Sequence, residues 1–169
     1  KIENDIVMFN SINSKINNSK LDYDGKISIN PFDLNFDVNL DNYDLRKFFN
    51  SNSILNELIK TDLLFNKNIS MSSSMTTSSN SRNKIFQEAI INFNIVDGKL
   101  DINRTRLINN KIGLLELENS NLSFEDDRLI LNTEVIITIK NSNELFSLLQ
   151  TNKKFRKPIK NIFINLNYD

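Results

Sequence analysis

Apolar and polar residues alternate along much of the chain. Apolar residues recur at alternate positions within residues 34–40, 91–95, 100–103, 129–139 and 162–166. Because successive side chains of a strand point to opposite faces, a period of two predicts strands with one buried face. The sequence therefore predicts a mainly β fold, built as an antiparallel meander.

Short polar pairs separate these runs and predict turns. Asp97-Gly98 is the strongest hairpin signal, since a primed turn needs a positive φ that Gly tolerates. Asp24-Gly25 predicts a similar turn. Asn109-Asn110 and Asp126-Asp127 are weaker signals of the same kind.

Two segments change to the helical period. Residues 42–60 place apolar side chains three or four positions apart, and Asn42 or Asp41 is a suitable cap. Residues 142–157 follow the same rule, with Ser142 as the cap and Pro158 ending the helix. We expect two short helices that lie at the sheet ends or pack on one side.

The stretch Ser70–Ser81 is rich in Ser and Thr. It is either a polar linker or a weakly amphipathic strand, and Thr content favours a strand continuing from Leu63.

The chain matches itself at an offset of about 100 residues. Residues 16–69 align with residues 117–169, each unit reading as strands, a helix and a returning strand. This match predicts a quasi-repetitive fold within one β-rich module, residues 1–169, which reads as the C-terminal piece of a longer chain.

Composition argues against catalysis. The 169 residues include no His, Cys or Trp and only 3 Gly. The usual general base, thiol nucleophile, common metal ligands and Gly-rich phosphate loops are therefore missing, and we expect no enzyme, metal or cofactor. Lys+Arg and Asp+Glu are both 21, which argues against nucleic acid as a partner. The abundant Asn suggests an AT-rich genome, so we assign Asn no site role.

Two charged clusters have simple interpretations. Residues 125–127 are acidic and fit a solvated turn, because they lack the spacing of a calcium loop. Lys153, Lys154, Arg156, Lys157 and Lys160 fit the polar end of a helix. Contact with anionic headgroups or a protein partner is the functional alternative.

Residues 91–102 contain an alternating strand pattern, a Gly turn and a Leu-x-Ile strand pattern in succession. Further short strand patterns follow through residues 105–124. This succession, with the tails 145–150 and 158–162, resembles the C-terminal part of AsmA-like and TamB-like bacterial envelope proteins. The resemblance covers roughly residues 20–169 and is diffuse. It implies a periplasmic, inner-membrane-anchored protein whose long twisted antiparallel sheet is curved into an open groove. Such a β-groove moves phospholipids towards the outer membrane and serves outer-membrane assembly.

We therefore expect one face of the sheet to form an open groove for phospholipid acyl chains. The anchor would lie outside this segment, and outer-membrane or envelope proteins are further partners. The groove residues predicted by parity are Leu34, Phe36, Val38, Leu40, Phe93, Ile95, Leu100, Ile102, Leu129, Leu131, Ile137, Ile139, Ile162 and Ile164. The alternative is a closed structural or protein-interaction β-domain without lipid. A glycan-binding or hydrolytic domain would need exposed aromatic residues, and Trp is absent.

Overall fold

A computed structural model describes residues 2–3, 5–16, 19–43, 57, 59–60, 63–78 and 85–168. Within these ranges eleven strands form one sheet, which confirms the mainly β prediction. The strands are β1 (Ile2–Glu3), β2 (Ile6–Ile16), β3 (Ser19–Ser28), β4 (Asp33–Asp41), β5 (Ser70–Ser78), β6 (Glu88–Val96), β7 (Lys99–Asp101), β8 (Arg106–Asn109), β9 (Gly113–Glu125), β10 (Arg128–Ile139) and β11 (Asn161–Tyr168). One α-helix, α1 (Ser142–Leu148), and two 3-10 turns, Leu63–Phe65 and Lys153–Phe155, are also described.

The strands lie in chain order across the sheet. β1 to β7 are successive neighbours, followed by β9, β10 and β11, while β8 lies beyond β7 between β6 and β9. Every pair is antiparallel except β4 and β5, which are parallel. The predicted antiparallel meander is thus confirmed with one exception.

The parallel pair requires a crossover, because a tight hairpin joins only antiparallel strands. This crossover spans residues 42–69. Its described part is helical at positions 57, 59 and 60 and forms the 3-10 turn Leu63–Phe65. Most of the predicted helix at 42–60 lies outside the described residues.

Cross-strand pairing divides the side chains into two faces. One row of direct neighbours runs Val7, Ile27, Leu34, Met71, Ile95, Leu100, Leu122, Leu131 and Tyr168. We call the face that carries this row the apolar face and the opposite one the polar face. On the polar face, β3 to β5 carry mainly Asp, Asn, Ser, Thr and Lys.

Burial is concentrated on the apolar face near the middle of the sheet. Leu40, Met75, Ala89 and Ile91 form one buried cluster. Ile95 and Leu100 form another with Leu64, a residue of the crossover that is only 3% exposed. The crossover therefore covers the middle of the apolar face.

Three of the predicted turns are confirmed. Asp97 and Gly98 both have positive φ, 53° and 71°, as a primed hairpin requires. Asp126 and Asp127 also have positive φ, 51° and 60°. The side chain of Asn109 accepts hydrogen bonds from the backbone of the turn that follows it.

The turn predicted at Asp24-Gly25 is wrong, since both residues lie inside β3. Gly25 is an extended strand residue whose missing side chain makes room for aromatic neighbours. A Cβ at this position would lie 2.6 Å from Cε2 of Phe9 and 2.9 Å from Cβ of Phe36. The glycine therefore reflects packing across strands, which the local sequence does not reveal.

The Ser- and Thr-rich stretch is a strand, β5, as favoured above, although residues 79–81 lie outside the described ranges. The strand does not continue from Leu63, because Leu63–Phe65 forms a 3-10 turn that contacts the core.

The helix predicted for residues 142–157 is shorter than expected. α1 ends at Leu148, and Gln150 has a φ of 53°. Thr151 N donates to the Phe146 carbonyl at 2.9 Å, a bond that closes the helix end. Asn141 rather than Ser142 caps the start, accepting from two backbone amides. The helix thus stops well before Pro158.

The two proposed repeat units differ in topology. Residues 16–69 contain the antiparallel strands β3 and β4 and the crossover, which β5 follows, whereas residues 117–169 contain most of β9, with β10, its connection and β11. The returning strand β5 is parallel to β4, whereas β11 is antiparallel to β10. The repeat remains a prediction from sequence.

Candidate functional site

The apolar face contains every residue predicted for the groove. The register places thirteen of them on the same side of the sheet, and Ile102, which follows β7, packs against the buried cluster of Leu64, Ile95 and Leu100 on that face. They are Leu34, Phe36, Val38 and Leu40 on β4, Phe93 and Ile95 on β6, Leu100 on β7 with Ile102 just after it, Leu129, Leu131, Ile137 and Ile139 on β10, and Ile162 and Ile164 on β11. The parity rule therefore selected a single surface of the sheet.

Accessibility of the apolar face changes across the sheet. Ile95 is 1% exposed beneath the crossover. Near β11 the same face opens, with Ile164 39% and Tyr168 73% exposed. Apolar side chains are thus presented at the β10–β11 side and are enclosed in the middle.

No second sheet covers this face within the described residues, because all eleven strands belong to one sheet. The ends of that sheet, at β1 with β2 and at β11, are not paired with each other. Within the described residues, the β1–β2 end and β11 therefore remain two separate edges of the sheet.

The polar face has a shallow depression of about 440 Å³ across β2 to β5. Asp24 and Asp37 are direct cross-strand neighbours there, with Ser74 next in the row. Among the described residues, however, no three or more Asp, Glu, His or Cys side chains are arranged to hold a metal ion. The depression carries no evident chemistry.

Asparagine side chains perform a structural role that sequence reasoning missed. Between β7 and β8 the strand is interrupted, and Arg104 has a φ of 59°. Asn92 Nδ2 on β6 donates to the carbonyl of Arg104 at 3.0 Å, and Asn103 Oδ1 accepts from Ser120 N at 2.6 Å. These side chains replace ladder hydrogen bonds, a role that no local sequence signal distinguishes.

The predicted basic cluster lies on the connection between α1 and β11. Lys153, Lys154, Lys157 and Lys160 are exposed, and Arg156 is half-buried. Since α1 ends at Leu148, the cluster follows the helix rather than forming its last turn.

No protein-family model, curated protein or solved structure matches the chain. In the portion that is described, no helix has both the length and the apolar composition needed to cross a bilayer.

Proposed function

We propose that this chain is a non-catalytic module of a bacterial envelope protein and that its apolar face binds phospholipid acyl chains. It would act in the periplasm, tethered through an anchor outside this segment, in phospholipid transport between the inner and outer membranes and in outer-membrane assembly.

The observation that carries the proposal is the unbroken apolar row from Val7 on β2 to Tyr168 on β11. It crosses nine strand positions, and at about 4.8 Å between strands it is about 38 Å long. One leaflet of a bilayer has about 15 Å of hydrocarbon, half of the usual core thickness. Leu64 of the crossover covers the row at Ile95 and Leu100, so an acyl chain would lie along the part of the row towards β11.

Binding of this kind needs area rather than reactive groups. Each methylene group moved out of water contributes about 0.8 kcal/mol. An acyl chain could approach at the open end of the face, where Ile164 and Leu166 are exposed. The half-buried Leu131 and Ile137 on β10 extend this surface inward.

Site-specific photocrosslinking in cells tests the proposal. A benzophenone amino acid replaces Ile164 on the apolar face, and a matched variant carries it at Asn165, whose side chain lies on the polar face of the same strand. Phospholipid should be captured at position 164 and not at position 165, as detected by mass spectrometry. A second pair, Phe93 and Asn94 on β6, repeats the comparison nearer the middle of the sheet.

Equal lipid capture on both faces, or capture of protein alone at positions 164 and 93, contradicts the proposal. Capture of protein alone would favour the alternative, a protein-interaction β-domain. One observation supports that alternative: β11 pairs only with β10 among the described strands, which leaves backbone groups along its other edge available for another strand.

A further inference from the structure

Charge is strongly asymmetric in the segment that joins β10 to β11. Residues 140–160, which we call the basic loop, contain one carboxylate, Glu144. The loop also contains six cationic residues: Lys140, Lys153, Lys154, Arg156, Lys157 and Lys160. The basic loop therefore has a net charge of +5 in a chain whose net charge is zero, so the rest of the chain has a net charge of −5.

Large apolar side chains are exposed in the same loop. Leu149 is 62% exposed, Phe155 65% and Leu148 48%. Nζ of Lys154 lies 4.8 Å from the centre of the Phe155 ring, so the cation and the ring are presented together. Exposed apolar groups among cations are the combination found on surfaces that enter the interface of an anionic bilayer.

Hydrogen bonds hold the basic loop in this shape. At its base, Ser142 Oγ donates to the Ile159 carbonyl at 2.8 Å and accepts from Ile159 N at 3.0 Å. Within it, Arg156 Nε donates to the Thr151 carbonyl at 2.9 Å. Because these bonds order the loop in advance, little conformational entropy remains to be lost on binding.

We propose that the basic loop docks on the surface of an anionic phospholipid bilayer, with Leu148, Leu149 and Phe155 inserted among the lipids and the lysines facing the headgroups. A bilayer fits both features of the loop. The phosphate backbone of a nucleic acid would engage the cations but would leave the two leucines without an apolar partner. This docking is independent of acyl-chain binding on the sheet face.

Sedimentation with vesicles tests the docking. The chain 1–169 should bind phosphatidylglycerol vesicles, bind phosphatidylcholine vesicles far more weakly, and be released as salt is raised. A cation near an anionic surface contributes about fivefold to the partition coefficient. The double variant Lys153→Gln, Lys154→Gln should therefore bind about 25-fold more weakly. The double variant Leu149→Ser, Phe155→Ser should lose about tenfold or more because inserted apolar area is lost.

A matched control removes two exposed lysines elsewhere. Lys26→Gln with Lys67→Gln alters exposed positions near the end of β3 and in the crossover before β5, which are several strands away from β10 and β11 in the sheet order. It should bind as the unaltered chain does. All variants should keep the same far-UV circular dichroism and melting temperature, because the altered side chains are exposed.

Three results would overturn the docking: equal binding to both kinds of vesicle, unchanged binding by either loop variant, or an equal loss in the lysine control. Tighter binding to duplex DNA than to phosphatidylglycerol vesicles, undiminished by Leu149→Ser with Phe155→Ser, would also overturn it and would identify a nucleic-acid surface. Photocrosslinking at Ile164 reports separately on acyl-chain binding, so failure of one proposal leaves the other measurable.

Discussion

The ring of Phe9 on β2 lies over Gly25 on β3, its direct cross-strand partner. The same row continues through Phe36, Ser73 and Phe93, so that large and small side chains alternate across the strands. Gly25 has no positive φ that would require glycine. It is needed because the space above its Cα is filled by an aromatic ring.

We expect Gly25→Ala to destabilise the protein. The new methyl group would meet Phe9, whose ring can swing, and Cβ of Phe36, which is fixed to the backbone. Overpacking of this kind costs about 1–3 kcal/mol in the free energy of unfolding, measured by urea denaturation. Phe9→Leu should restore part of the loss when combined with Gly25→Ala. Lys26→Ala, one residue along and on the polar face, should change stability by less than about 0.5 kcal/mol.

A buried hydroxyl pair supports a second prediction. Ser120 Oγ and Thr133 Oγ1 share a hydrogen bond where β9 bulges against β10, and both residues are buried. Either Ser120→Ala or Thr133→Val leaves the remaining hydroxyl with one partner fewer, which should cost about 1–3 kcal/mol of unfolding free energy.

The double variant should lose less than the sum of the two single losses, because it leaves neither hydroxyl behind. Thr138→Val, an exposed position on the same strand, is the control and should change stability by less than about 0.5 kcal/mol. Strict additivity would show that the two hydroxyl groups do not interact.

Alternation in the sequence was sufficient to predict the apolar face but not the path of the chain. Parity assigns Leu34 and Ile164 to one face without knowledge of their neighbours, because the period of a strand is two. Parity says nothing about strand direction, so the parallel pairing of β4 with β5 was not predicted. Gly25 and Asp24 were misassigned for a related reason, since a Gly that makes room for a ring and a Gly that permits a turn look the same in sequence.

The asparagine contacts mark a further limit. Asn92 and Asn103 bridge the interruption between β7 and β8, but they lie among many other Asn residues in the chain. Their importance depends on partners more than ten residues away, which local patterns cannot identify. The candidate site was more predictable than this network because it depends on apolar side chains at regular spacing.

We expect Asn92→Ala to loosen the β7–β8 interruption. Its side chain donates to the carbonyls of Asn103 and Arg104, and loss of these bonds should cost about 1–2 kcal/mol. Hydrogen exchange should locate the effect at the amides of Arg104 and Leu117, which bond across the interruption. Asn39→Ala, exposed on β4, should leave exchange at those two amides unchanged. A uniform rise in exchange over the whole sheet would contradict a local role for Asn92.

The crossover residue Leu64 should stabilise the sheet and shield its apolar face. Its side chain packs on Ile95 and Leu100, and Leu64→Ala should cost about 2–5 kcal/mol of unfolding free energy, because a buried leucine is removed. The newly exposed apolar surface should increase the fluorescence of bound 1-anilinonaphthalene-8-sulfonate under native conditions. Leu149→Ala, which removes an exposed leucine, should neither lower the free energy of unfolding nor increase the fluorescence of the bound dye. If Leu64→Ala behaves like Leu149→Ala, the crossover does not cover the middle of the sheet in solution.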